Sequence, residues 1–194
     1  MRSSAKHKWL GTHLLILALL TIVHSFLARL AVSAYPIAPG VAAIYFSVAL
    51  MIAFTLWFGA WGAIATYLGC FIGSGVLSGI PIETSSYWSL ADLWQVLIPL
   101  IVFRRLGADV NLRTKRDLLI FLVFGWALNN LVGASWGATI LAVGRLVQWN
   151  EVSGILAGWF AGNLIVTIAI TPLLLRFVTP YIQRAGVYVR RYWS

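Results

Sequence analysis

An all-α bundle of six transmembrane helices, with both termini in the cytoplasm, is the fold class this sequence predicts. Three observations predict it. The first is composition: 61% of the 194 residues are hydrophobic, only 10% are charged, and the mean hydropathy is +0.90. A soluble domain carries roughly a quarter charged residues, so lipid is the solvent that suits this chain. The second is a series of six apolar stretches, each near the ~20 residues that cross a bilayer. The third is where the charge sits. Twelve of the fourteen Lys and Arg residues fall into three clusters: Arg2, Lys6 and Lys8; Arg104, Arg105, Arg113, Lys115 and Arg116; Arg176, Arg184, Arg190 and Arg191. A net charge of +9 spread over a soluble surface would suggest nucleic acid. Confined to alternate loops, it is the bias that keeps membrane loops cytoplasmic, and no nucleic-acid partner is expected.

The spans are expected at 10–32, 41–58, 60–80, 87–103, 118–143 and 152–177, within one domain over 1–194. Residues 10–32 follow a basic start and precede Val32-Ser33-Ala34, as a secretory signal would. Their apolar run is longer than the ~7–15 residues of a signal core, which favours a retained helix. Tyr35-Pro36-Ile37-Ala38-Pro39-Gly40 is a connector, because proline disfavours helix at the residue before it. Residues 41–80 divide at Trp57-Phe58-Gly59-Ala60-Trp61-Gly62, where two glycines allow a turn. Charge parity supports that division: six spans place 104–117 and 178–194 inside, whereas five would put the 104–116 cluster outside. Only Arg29 and Arg145 are then left on the outer side. Residues 80–86 form an outer loop with Pro81 ending a helix and Glu83 exposed. Trp9, Trp57, Trp61, Trp88, Trp149 and Trp193 fall near helix ends, as interfacial anchors do. Residues 178–194 make a basic amphipathic tail for the inner leaflet or a partner.

Helix contacts are expected along rows of small residues: Gly69 and Gly73; Gly133 and Gly137; Gly154, Gly158 and Gly162. In lipid, close backbone approach holds helices together where the hydrophobic drive is absent. Polar groups at membrane depth say more about function, because hydrocarbon leaves them unsatisfied. Trp126, Asn129, Gly133 and Trp136 share one helix face, with Asn130 beside them. Trp159, Asn163, Thr167 and Thr171 form another stripe. Asp92 and Gln95 share a face near an outer helix end. Converging, these stripes would form an outward-facing pocket of Trp walls, amides and one carboxylate, suited to a small organic ligand. Arg29 or Arg145 would be the ion-pair partner of Asp92, while interhelical bonding by the amides alone is the plainer alternative.

His13 and His24 share a face of the first helix but lie about 16 Å apart, too far to bind one metal ion together. Either alone offers an axial nitrogen for a haem or chlorophyll, although polar packing accounts for them more simply. No metal site is expected, since Cys70 is the single cysteine and a structural zinc site takes about four ligands. The metalloprotease, nucleophile-elbow, P-loop and dinucleotide motifs are all missing. With five acidic residues in total, paired-carboxylate catalysis has little to work with, and no enzyme is expected.

Three motifs in residues 36–177 carry a family resemblance. Pro36-Ile37-Ala38-Pro39-Gly40-Val41-Ala42 leads into an apolar helix and then Gly59-Ala60-Trp61-Gly62-Ala63-Ile64. The helix with Asp92 and Gln95 ends in Phe103-Arg104-Arg105-Leu106. Gly162-Asn163-Leu164 runs on to Thr171-Pro172-Leu173-Leu174-Leu175. Together they resemble the MASE-type membrane-associated sensor domain of bacterial inner membranes, in which an acidic residue usually follows the glycine where Asn163 stands here. The resemblance implies a sensory module in the bacterial cytoplasmic membrane, here free-standing, whose signal passes to partner subunits. The arrangement also resembles the substrate-binding S component of energy-coupling-factor vitamin transporters, without the A-x-x-x-A pattern on the first helix. The expected function is therefore non-enzymatic: a sensor-like bundle binding a small molecule or partner protein. The alternatives are an accessory subunit of a larger membrane complex or a vitamin-binding S component.

Overall fold

The computed structural model describes the backbone of residues 2–193 and the side-chain surroundings of residues 9–193. The first basic cluster, Arg2, Lys6 and Lys8, lies outside the described side chains. Helix α1 covers Arg2–Ala34, and a two-stranded hairpin follows, β1 Pro36–Ala38 against β2 Val41–Ala42. Then come α2 (Ser47–Phe58), α3 (Ala60–Cys70), α4 (Ile82–Trp88), α5 (Leu90–Leu106), α6 (Lys115–Ile120), α7 (Leu128–Val143), α8 (Val152–Leu173) and α9 (Thr179–Arg184). Wide π turns at Phe71–Gly75, Phe121–Ala127 and Leu174–Val178 continue α3, α6 and α8. Among the described residues, five continuous helices are long and apolar enough to cross a membrane: Trp9–Ala34, Ala60–Ser78, Ile82–Leu106, Lys115–Val143 and Trp149–Arg184. The sixth apolar helix, Ser47–Phe58, has 12 residues. This is the make-up of a multi-pass membrane protein.

The distribution of polarity agrees. Leu15, Ile22 and Phe26 of α1 are more than 60% exposed, while His13, His24, Ala28 and Ala31 on its other side are buried. Putting apolar side chains outward and polar ones inward makes sense only when the surroundings are apolar.

The short α2 corrects the expected span at 41–58. At 1.5 Å per residue it reaches about 18 Å, against ~30 Å of hydrocarbon. The first part of that expected span is taken up by the hairpin and the segment 43–46, which return into the bundle with Val41, Ala42 and Tyr45 buried. Non-helical backbone at this depth is tolerated where protein encloses it, and Ala43 N–H donates to the Tyr35 carbonyl (2.7 Å). Gly40 makes the reversal possible. Its φ is +73°, and a Cβ there would come within 2.6 Å of Ile80 and 2.7 Å of the Ser74 carbonyl. The expected outer loop at 80–86 is instead mostly α4, with Pro81 before its first residue and Glu83 in its first turn.

At the other end, Thr114 and Asp117 form a reciprocal capping box that starts α6, with the Asp117 N–H donating to Thr114 Oγ1 (3.1 Å) and the Thr114 N–H to Asp117 Oδ2 (3.0 Å). This satisfies the otherwise orphaned first-turn amides. Residues 185–193 do not spread outward as an amphipathic tail. They fold back over the ends of α2, α3 and α5, with Val189 buried. Trp57 and Trp88 are buried too, rather than anchored at an interface, because the returning C-terminus and the hairpin cover their helix ends; Trp149 and Trp193 are exposed.

The glycines differ in what faces them. A Cβ on Gly73 would run into the Ser25 backbone, on Gly162 into the Ala43 carbonyl, on Gly69 into the His24 ring, on Gly133 into Gln95 and on Gly137 into Trp159. Gly158 meets only the tip of Ile37 (3.2 Å), and Gly154 faces open space. Overpacking against fixed backbone costs about 1–3 kcal/mol, whereas alanine in an open helical position gains about 0.5–1 kcal/mol over glycine. Gly162→Ala is therefore expected to lower the thermal unfolding midpoint in detergent, and Gly154→Ala to leave it unchanged or raise it. Equal effects would show that the row does not pack as described.

Candidate functional site

One group of buried polar residues gathers where the middle of α1, the start of α2, the π turn after α3 and the start of α5 meet. Asp92, in the first turn of α5, is 1% exposed. Its Oδ2 accepts from the Tyr45 hydroxyl at 3.0 Å and lies 3.3 Å from His24 Nε2. On the other side of the ring, His24 Nδ1 is 2.7 Å from Ser47 Oγ. The two ring nitrogens of His24 thus face different partners, Nε2 the Asp92 carboxyl group and Nδ1 the Ser47 hydroxyl. The Tyr45 hydroxyl is also 3.5 Å from Ser74 Oγ. This is the partner set of Asp92. The expected arginines are not in it: Arg29 donates to Ser33 Oγ one helical turn away (2.6 Å).

Above Asp92 is a cavity of about 10 Å³ lined by Gly40, Val41, Ala42, Tyr45, Trp88, Asp92 and Trp159, roughly the room one water needs. The rings of Trp88 and Trp159 stand 5.8 Å apart, and the hairpin closes the top. Ser47, His24 and Asp92 are connected in the order of a hydrolase triad, but the cavity touches Asp92 and not the other two. The Ser47 hydroxyl is fully buried and faces the histidine, whereas nucleophilic attack requires access to substrate.

Of the eight residues expected to form a ligand pocket, Asp92 and Trp159 line this cavity. Gln95 and Asn130 make a separate bridge deeper in the bundle. Gln95 Nε2 donates to Asn130 Oδ1 (2.7 Å), and Asn130 Nδ2 donates to the Trp126 carbonyl (2.7 Å) and Thr167 Oγ1 (3.2 Å). Trp126 Nε1 donates to the Leu164 carbonyl (2.8 Å), joining α8 to the π turn before α7. Trp136 donates to the Tyr87 carbonyl (2.8 Å) and packs edge-on to Trp94, away from the cavity. Asn129 and Asn163 are fully buried, and neither amide has a hydrogen-bond partner among the described residues.

The sequence reading missed Tyr45, Ser47, Ser74 and Trp88. The first three belong to an apolar stretch or a glycine-rich helix, and Trp88 looked like an end anchor. Both ring nitrogens of His24 face groups of the protein, Ser47 and Asp92. His13 Nδ1 donates to the Trp9 carbonyl (2.9 Å), and its Nε2 lies 3.3 Å from the Val187 carbonyl. Among the described residues no group of three or more His, Cys, Asp or Glu side chains could hold a metal ion. No protein-family model, curated protein or solved structure matches this chain.

Two predictions follow from these bonds. In a double-mutant cycle, Tyr45→Phe and Asp92→Asn are expected to couple by about 1–3 kcal/mol, as residues in one hydrogen-bond network do. Additive losses in unfolding free energy would mean that the bond contributes nothing. Asn130→Ala breaks three bonds and is expected to destabilise by about 1–2 kcal/mol more than Asn129→Ala, which breaks none. Chemical denaturation in mixed micelles measures both.

Proposed function

We propose that this chain is a non-enzymatic sensor of the bacterial cytoplasmic membrane, with six membrane-crossing segments, both termini inside, and a small molecule bound from the outer side above Asp92. One observation carries the reading: a buried carboxylate, held by His24 and Tyr45 and facing a cavity under a re-entrant hairpin. Ionisable groups at membrane depth are costly and mark functional sites by default. Apolar packing would join the same helices without the desolvation cost.

The lining suggests the ligand's chemistry. Asp92 accepts hydrogen bonds, and the faces of Trp88 and Trp159 attract a cation, so a small amine or ammonium group suits the site. Any ligand larger than a water must raise the hairpin. The hairpin rests on α8 where Ala43 meets Gly162, and α8 runs on through Pro172 to Arg176 at the basic end. Raising the hairpin thus alters the support of a helix that reaches the opposite face. The two-sided charge distribution supports the topology: Arg29 and Arg145 lie at the hairpin end, and the other described basic residues at the opposite end.

A second reading, an accessory subunit of a membrane complex, is favoured by the exposed side of α8, where Gly154 faces open space and offers close approach to another helix. Mild-detergent copurification separates the two readings, because a monodisperse monomer without companions counts against the subunit.

For the sensor, a thermal-shift screen of small amines and amino alcohols on the intact protein is expected to yield a stabilising ligand. Its effect should be lost in Asp92→Asn and weakened in Trp159→Phe. A screen in which no such compound stabilises the wild type, or one whose hit stabilises Asp92→Asn equally, sinks this reading.

A further inference from the structure

The basic end of the molecule carries a second, unrelated site. After α9, residues 185–193 cross the bundle as an irregular strap. The Val189 N–H donates to the Trp57 carbonyl (2.8 Å), and the Ala60 N–H donates to the Tyr192 carbonyl (2.7 Å). The strap fits because residue 59 is glycine, with φ +61° and no space for a Cβ beside the Tyr192 carbonyl. Arg104, in the last turn of α5, clasps it. Its guanidinium donates to the carbonyls of Val189 (2.7 Å), Arg191 (3.1 Å) and Leu56 (2.8 Å) and to the Tyr188 hydroxyl (3.1 Å). Between α9, the strap and Arg104 opens a cleft of about 570 Å³, lined by Arg104, Gln183, Gly186, Tyr188 and Arg190.

Every lining group is neutral or positive. The two acids at this end, Asp109 and Asp117, are engaged within the loop before α6. Asp109 accepts from Asn111 and pairs with Arg113 (3.4 Å), and Asp117 caps α6 and accepts from the Asp109 N–H (3.1 Å). All four Arg104 partners are uncharged, so its charge is hydrogen-bonded but not neutralised. A guanidinium has five N–H donors; four are used, and one on Nη1 is left. Arg190 is exposed and has no hydrogen bond or carboxylate partner among the described residues. The cleft therefore offers two positive charges without a carboxylate partner among the described residues, and Gln183 lines it beside them. Exposed Phe177, Tyr181 and Trp193 stand at the same end, as aromatics do at headgroup level.

We infer that this cleft binds a phosphoryl group, which bridges the strap through Arg190 and Tyr188 to α5 through Arg104. Planar guanidinium donors match phosphate oxygens, and such charge-assisted bonds are about twice as strong as neutral ones. The phosphoryl group belongs either to an anionic lipid headgroup or to a soluble phosphate, and in both cases it fastens the strap to the bundle.

The test uses the full chain in neutral detergent, with short-chain phosphatidylglycerol, its phosphatidylcholine counterpart and inorganic phosphate as probes. The readout is hydrogen–deuterium exchange of residues 186–193 relative to α7. Slowed exchange with phosphatidylglycerol alone assigns the site to a lipid headgroup. Slowed exchange with inorganic phosphate as well assigns it to soluble phosphates. In either case Arg190→Gln, which loses no internal bond, is expected to raise the half-saturating concentration about tenfold. Arg104→Lys, which keeps the charge but loses the fork, should weaken binding and also speed exchange of the strap without ligand. Protection by phosphatidylcholine equal to that by phosphatidylglycerol, protection unchanged in Arg190→Gln, or none from any probe overturns the inference.

Discussion

A carboxylate at membrane depth must find its partners inside the protein, because hydrocarbon supplies none and an unsatisfied group costs several kcal/mol. Asp92 draws those partners from separate parts of the chain: the middle of α1 through His24, and the re-entrant segment through Tyr45. Ser47, the first residue of α2, stands at the other ring nitrogen of His24 and orients the ring. An α2 that began six residues earlier would carry Tyr45 around the helix and away from the carboxylate. The short helix, the inward hairpin and the position of α1 together bring Tyr45 and His24 to one buried carboxyl group.

The glycines make room for this polar set. Gly69 receives the His24 ring, Gly133 the Gln95 side chain and Gly137 the Trp159 ring. Each large polar or aromatic residue lies against a missing side chain on a neighbouring helix. In lipid this complementarity matters more than in water, since dispersion and hydrogen bonds, rather than expulsion of water, hold helices together. Gly73 and Gly162 serve a different purpose, bringing backbone directly against backbone at Ser25 and Ala43. That second contact seats the hairpin.

Much of this was legible in the sequence. Helix positions follow from apolar length, the break at Gly59 from the turn residues, and the two-ended distribution of arginines from their clusters. The hairpin was hidden because Val41, Ala42, Ala43 and Ile44 are as apolar as a span. Its burial depends on tertiary enclosure, which local composition does not encode. The Asp92–His24 pair was hidden for a related reason. The two residues are 68 positions apart, and no periodicity links them, so charge complementarity alone pointed to Arg29 and Arg145. Asn130 and Gln95 stood on the expected faces, but a helix face does not reveal which neighbour it meets. Here the neighbour was another amide rather than a ligand cavity.

The cavity floor and the strap clasp share one element. Asp92 opens α5 and Arg104 closes it, 12 residues later, about 18 Å along the axis. Over that distance a helix is stiff unless something interrupts its ladder, and Pro99 lies between them with no N–H to give to the Gln95 carbonyl. Gln95 is itself tied to Asn130, so the interrupted turn is braced on α7 at the same level. Pro99 is therefore the turn at which α5 lacks a ladder bond between the two sites, and the Gln95–Asn130 bond holds that level of the helix against α7.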